Sequence, residues 1–256
     1  MKNKFISSIV ALSLAAVTAF AVVPAAPAEA KTADKFTTSC QMFDLCEEGY
    51  NGGVDGPISI TQATLKKGSS TKNVYVVALS GTENVGGQST YIATDLLSGF
   101  NLNNAYIENV VSVCMTNIPK NSNIIFTGHS LGGMIAQQAA GNSKLKKNFN
   151  ILYTVTFGSP LLSAGTREGT VKRLGDSHDV VPYLSHAPID NSIWAIAGLN
   201  REDGGYGWDF LGAHCESYGR TDVWGKYDPL GYKNGSAVLT LDRDTQTFYY
   251  SPSWLW

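Results

Sequence analysis

A serine stands between glycines in Gly128-His129-Ser130-Leu131-Gly132-Gly133. Ile124-Ile125-Phe126 before it is a short apolar run, and Met134 to Ala140 after it is rich in helix formers. Gly-x-Ser-x-Gly where a strand turns into a helix is the pattern of a nucleophile elbow. Such a turn is sharp enough to strain the serine backbone and hold Oγ out at the carboxyl end of a sheet. Side chains two residues to either side would collide as strand and helix cross, and Gly128 and Gly132 remove that collision. Gly133 and Ala136 let the helix approach the sheet. A helix opening at Leu131 aims N–H groups at an oxyanion forming beside Ser130. The chemistry implied is nucleophilic attack by Ser130.

A serine nucleophile needs a base, and the base an orienting acid. In α/β hydrolases the chain order is Ser, acid, His. The chain holds four histidines. His129 sits inside the elbow and should point elsewhere. His178 precedes or flanks the acid, and His186 shares a short loop with it, which leaves His214 as the base. Gly175-Asp176-Ser177-His178-Asp179-Val180-Val181-Pro182 offers two acids. Asp179, opening the apolar run before Pro182, is favoured. Asp176 and His178 read as solvated loop residues, Asp176 in a turn capping its own backbone.

These residues need a scaffold. Ile58–Leu65 alternates with period two and reads as a strand. The polar stretch 66–73 reads as a turn, and Val74–Thr82 as a strand buried on both faces. The stretch 103–118 reads as a helix with Tyr106, Val110, Val111 and Cys114 on one side. Strands at Asn123–Thr127 and in Ile151–Phe157 flank the helix after Ser130, and a short strand falls in 170–184. The stretch 236–251 reads as a terminal hairpin. Alternating buried strands and helices imply an α/β class fold with a mostly parallel central sheet and helices on both faces.

The N-terminus carries Lys2 and Lys4, an apolar stretch from Phe5 to Val23, and Ala28-Glu29-Ala30. This reads as a secretory signal peptide cut after Ala30, although the apolar stretch is long enough to span a bilayer if uncleaved. Lys31, not Cys, follows the cut, which argues against a lipid anchor. Residues 31–256 then form a single domain, expected to be extracellular. The net charge of −2 gives no hint of nucleic acid. Cys40, Cys46, Cys114 and Cys215 allow two disulfides in an exported protein. Cys40 and Cys46 could pair in a loop, but not in a helix, where six residues rise about 9 Å. Free buried thiols are the other reading.

Taken together, these motifs resemble the class 3 lipase family. "GHSLGG" is similar to its elbow, "ALSGTENV" to the strand end carrying its oxyanion residue, and "IATDLLSGF" to the following segment with Asp95. "VTFGSP" resembles the strand after the elbow helix, "DVVPYLS" the acid motif and "HCESY" the histidine motif. The family usually has Arg where Ser80 stands, and 83–94, where it keeps a lid, carries Gly86-Gly87 and few large apolar residues.

The resemblance implies an α/β-hydrolase fold and a triad of Ser130, Asp179 and His214. It implies an oxyanion hole from Thr82 and the Leu131 N–H, and no metal or organic cofactor. The expected activity is hydrolysis of a small-molecule or lipid ester, first a triacylglycerol. Phospholipase or feruloyl-type esterase activity is the alternative, and a non-catalytic binding protein the rival from another class. Transient contact with a lipid interface and a monomeric state are expected. Ile193, Trp194, Ile196, Trp208, Phe210 and Leu211 could wall an acyl pocket or be ordinary core.

Overall fold

The computed structural model describes residues 33–50, 55–81, 105–161, 165–183 and 199–251. The expected leader, Asp95, the lid segment, His186 and the apolar residues 193–196 lie outside them. Among the described residues, eight strands form one sheet in the order β1-β8-β2-β3-β4-β5-β6-β7. They are β1 (Ala33–Phe36), β2 (Ile58–Lys67), β3 (Ser70–Leu79), β4 (Asn123–His129), β5 (Asn150–Phe157), β6 (Thr170–Asp176), β7 (Leu199–Glu202) and β8 (Val238–Tyr249). From β3 to β7 every pairing is parallel. The β1, β8 and β2 side is antiparallel.

Side chains alternate across a strand, and here both faces are covered. Val76, Ala78 and Ile125 enter one cluster with Met42, Phe43 and Leu45 of α1 (Ser39–Glu47). Val77, Leu79, Ile124 and Phe126 enter the other. There they meet Tyr106, Val110 and Cys114 of α2 (residues 105–117) and Met134, Ile135 and Ala139 of α3 (Leu131–Gly141). This explains why β3 and β4 are almost unbroken apolar runs. Each fully buried side chain of the size of Phe126 contributes about 1.5–3 kcal/mol.

Three expectations change. The stretch 66–73 is mostly strand: β2 and β3 run on to a two-residue loop at Gly68-Ser69, with Gly68 at φ 59°. The expected terminal hairpin is one strand, β8, lying between β1 and β2. Its polar run Asp242–Gln246, which reads as a turn, is a bulge: Ile60 pairs with Thr247 but Gln62 with Asp242. The Thr245 hydroxyl accepts from Gln62 N at 2.9 Å and donates to Asp242 O at 2.7 Å, replacing bonds the bulge breaks. From the bulge Arg243 reaches Asp34 at 2.8 Å and Glu48 at 2.9 Å. Finally, Cys40 and Cys46 both lie in α1, and all four cysteines are free thiols.

Between β4 and α3 the chain reverses at Ser130, whose φ of 55° and ψ of −122° are costly for a residue with a side chain. A Cβ on Gly132 would overlap the Leu79 carbonyl, and one on Gly128 would overlap the Gly132 backbone. Neither obstacle is a flexible side chain that could swing aside. Gly132→Ala should therefore cost about 3 kcal/mol or more, beyond the usual range for one added methyl. Thermal melting of the purified variant checks this, and a melting temperature within a degree of wild type would contradict the packing described.

Candidate active site

Ser130 ends the parallel strand β4 and opens α3, and its N–H donates to Phe157 O at 2.9 Å, tying the elbow to β5. His214 lies on α4 (Phe210–Cys215), whose first turn is capped by Asp209 accepting from Gly212 N at 2.9 Å. Asp179 lies in the loop after β6. These three distant positions meet in one row. His214 Nε2 is 3.0 Å from Ser130 Oγ, and His214 Nδ1 is 2.9 Å from Asp179 Oδ2. The carboxylate can only accept, so Nδ1 carries the proton and Nε2 turns its lone pair to the serine hydroxyl. All three side chains are buried.

Two features that the sequence reading did not assign hold Asp179. The Tyr218 hydroxyl donates to Asp179 Oδ2 at 2.6 Å, while Val181 N donates to Oδ1 at 2.9 Å. Burial, then the Asp179 charge, pushes the Tyr218 phenol well above its ordinary range, so it stays a donor. Tyr218 falls inside "HCESY", and a tyrosine four residues past His214 was the available signal. Gly158, at φ 54°, follows β5. A Cβ there would come within 2.8 Å of Asp179 Oδ2 and 3.0 Å of His214 Nδ1, so the glycine of "TFGSP" keeps the Asp179–His214 bond clear.

Asp176 is not a solvated turn residue. It is fully buried at the end of β6. It does cap its own turn, accepting from His178 N at 2.9 Å, but it also accepts from Gly204 N at 2.9 Å and from the Ser217 hydroxyl at 2.5 Å. It makes no contact with His214 in this row; its partners brace the segment carrying Tyr218. His178 is half-buried, 3.3 Å from Asp203.

His129 is turned towards His214 and Tyr50. Its ring lies against His214, with centroids 4.8 Å apart, and its Nε2 is 3.0 Å from His214 O. Burial, then the neighbouring His214, lowers its pKa well below 6.5. Glu47 Oε1 is 3.5 Å from His129 Nδ1. Burial, then Asp44, raises the Glu47 carboxyl to about 7, with His214 pulling the other way.

Leu131 occupies the first helical position of α3, where a backbone N–H has no acceptor within the helix. Thr82 lies outside the described residues, three positions past the end of β3. Trp208 and Phe210, candidates for pocket wall or core, are not core: they are 90% and 42% exposed. Val180, next to Asp179, is 44% exposed.

Two outcomes follow from these contacts. Asp176→Asn should lower stability by about 2–3 kcal/mol, because charge-assisted bonds to buried donors are lost, yet keep most turnover. Melting and rate measured together test this, and a lost rate with an unchanged melting temperature would give Asp176 the acid role instead. Glu47 has a folded-state pKa above its ordinary 4.5, so ionisation disfavours the fold. That cost is absent below about 4.5, grows towards 7 and persists above. Glu47→Gln should therefore raise the melting temperature at pH 8 and leave it nearly unchanged at pH 4.

Residues 60–187 match the family Lipase (class 3). The matched stretch contains Ser130 and Asp179, with His214 beyond its end. No curated protein matches the chain. Among solved structures, the crystal structure of M37 lipase is similar at 18% identity and a TM-score of 0.28, over 52% of this chain. The chain covers 56% of that protein's length. With half of its length matched, a parallel-centred sheet and helices on both faces, the chain belongs to the class 3 lipase family of α/β hydrolases.

Proposed function

We propose that the protein is a secreted serine ester hydrolase acting on triacylglycerol or related acyl esters through an acyl-enzyme on Ser130. The observation that carries this reading is the unbroken hydrogen-bonded row from Ser130 through His214 to Asp179. His214 Nε2 takes the hydroxyl proton as Oγ attacks the ester carbonyl. Asp179 holds the imidazole in the required tautomer and stabilises its protonated form. The Leu131 N–H and Thr82 receive the oxyanion. His214 then protonates the leaving alcohol, and water repeats the cycle on the acyl-enzyme. The steps require no metal or organic cofactor. The exposed Trp208, Phe210 and Val180 support a substrate with an apolar acyl portion or a transient lipid contact.

Ser130→Ala and His214→Ala should each lower turnover by a factor on the order of 10³–10⁶, and the double variant little further, since the two act as a unit. Asp179→Asn should lose on the order of 10⁴ while folding normally. Rates on p-nitrophenyl esters of rising chain length check this and grade the acyl preference. A fluorophosphonate probe should label the wild type and not Ser130→Ala; absence of labelling in the wild type would favour a binding protein.

A further inference from the structure

His129 lies within the elbow, yet the mechanism gives it no proton to move. Its bonds can be assigned a direction from chemistry alone. Nε2 faces His214 O at 3.0 Å, and a carbonyl only accepts, so Nε2 carries the hydrogen. The ring is buried and neutral, its pKa held well below 6.5, so Nδ1 has a lone pair. The Tyr50 hydroxyl, 2.8 Å from Nδ1, must then donate. That leaves the Tyr50 oxygen to accept from Gly81 N at 2.7 Å. The result is a one-way chain: Gly81 N–H to Tyr50, Tyr50 O–H to His129, His129 N–H to the His214 carbonyl.

The two ends of this chain are the parts of the site that must keep their spacing. Gly81 immediately precedes Thr82, and a Cβ on it would come within 2.9 Å of Ser130 Cβ and 3.0 Å of His129 O. The other end is the backbone of the base itself. Tyr50 reaches them from beyond α1, so a segment that supplies no group to the triad spans the gap. The Glu47 carboxyl cannot substitute for Tyr50: at 3.5 Å it is outside hydrogen-bond range of Nδ1.

We propose that Tyr50 and His129 are positioning residues that set the distance between the oxyanion strand end and the His214 base. The proposal rests on the acyl-transfer reading of Ser130 and His214. A misplacement of about 1 Å in such a site costs on the order of 10² in rate. Packing alone would not require the donor and acceptor pattern, because an apolar ring would fill the same space.

Tyr50→Phe keeps the ring and removes only the hydroxyl. With p-nitrophenyl butyrate as substrate, its kcat should fall about 10²-fold while KM stays within about twofold. His129→Gln retains one acceptor and one donor and should keep at least about tenfold more kcat than His129→Leu, whose melting temperature is measured alongside. Wild-type kcat in folded Tyr50→Phe, or equal kcat in His129→Gln and His129→Leu, would overturn the proposal. If Tyr50→Phe does not fold, the His129 pair decides. Ser130→Ala is assayed in the same series: turnover by it removes the acyl-transfer reading itself, whereas an inactive Ser130→Ala with a fully active Tyr50→Phe removes only the positioning role.

Discussion

One backbone conformation governs the architecture of the site: Ser130 at φ 55° between β4 and α3. A residue with a side chain pays strain there, and the surrounding contacts must hold it. They do so from three directions. Ser130 N is bonded to β5. Gly128 and Gly132 allow strand and helix to cross where any Cβ would strike backbone, and Gly133 lies against Ser159. The strain is therefore sustained by the close fit of α3 on the sheet, and that fit places Ser130 Oγ next to His214 Nε2.

Asp179 is held by a different principle. Asp179 is fully buried, and burying a carboxylate is expensive unless its oxygens are satisfied. His214, Tyr218 and Val181 N supply three donors. Tyr218 in turn accepts from Asp176 N at 3.1 Å, linking the two carboxylate residues through one phenol. Behind them Arg173 donates to Ser159 O at 2.9 Å and Pro182 O at 2.6 Å, and burial lowers its pKa to about 10. It ties the segment after β5 to the one after Asp179. Polar groups this deep specify one arrangement, because each left unpaired costs more than its bond contributes.

α1 has a role beyond covering the sheet. Phe43 packs edge-on to Phe157 and to His129, with centroids 5.6 and 5.1 Å away. The segment beyond it carries Tyr50 to the carboxyl end of the sheet. Ser80, where the family usually has Arg, donates to Cys46 O at 2.6 Å, so this strand end also leans on α1.

The sequence by itself determined much of this. Apolar continuity in 74–79 and 124–126 marked strands covered on both faces, and the glycines around Ser130 marked the elbow, because steric exclusion is local and leaves its mark in residue type. Chain order and motif singled out Asp179 and His214 from their neighbours. Only the tertiary structure decided the rest. Asp242–Gln246 has turn composition, and its place in a strand came from pairing with β2, a partner nearly two hundred residues away. The short strands β1 and β7 carry no periodic signal long enough to read and exist through their edge pairings. Asp176 looked solvated because local composition cannot reveal that Gly204 and Ser217 would close over it. Tyr50 and His129 acquired their places through hydrogen bonds between distant segments. Such bonds depend on where side chains meet in space, and no spacing along the chain encodes that.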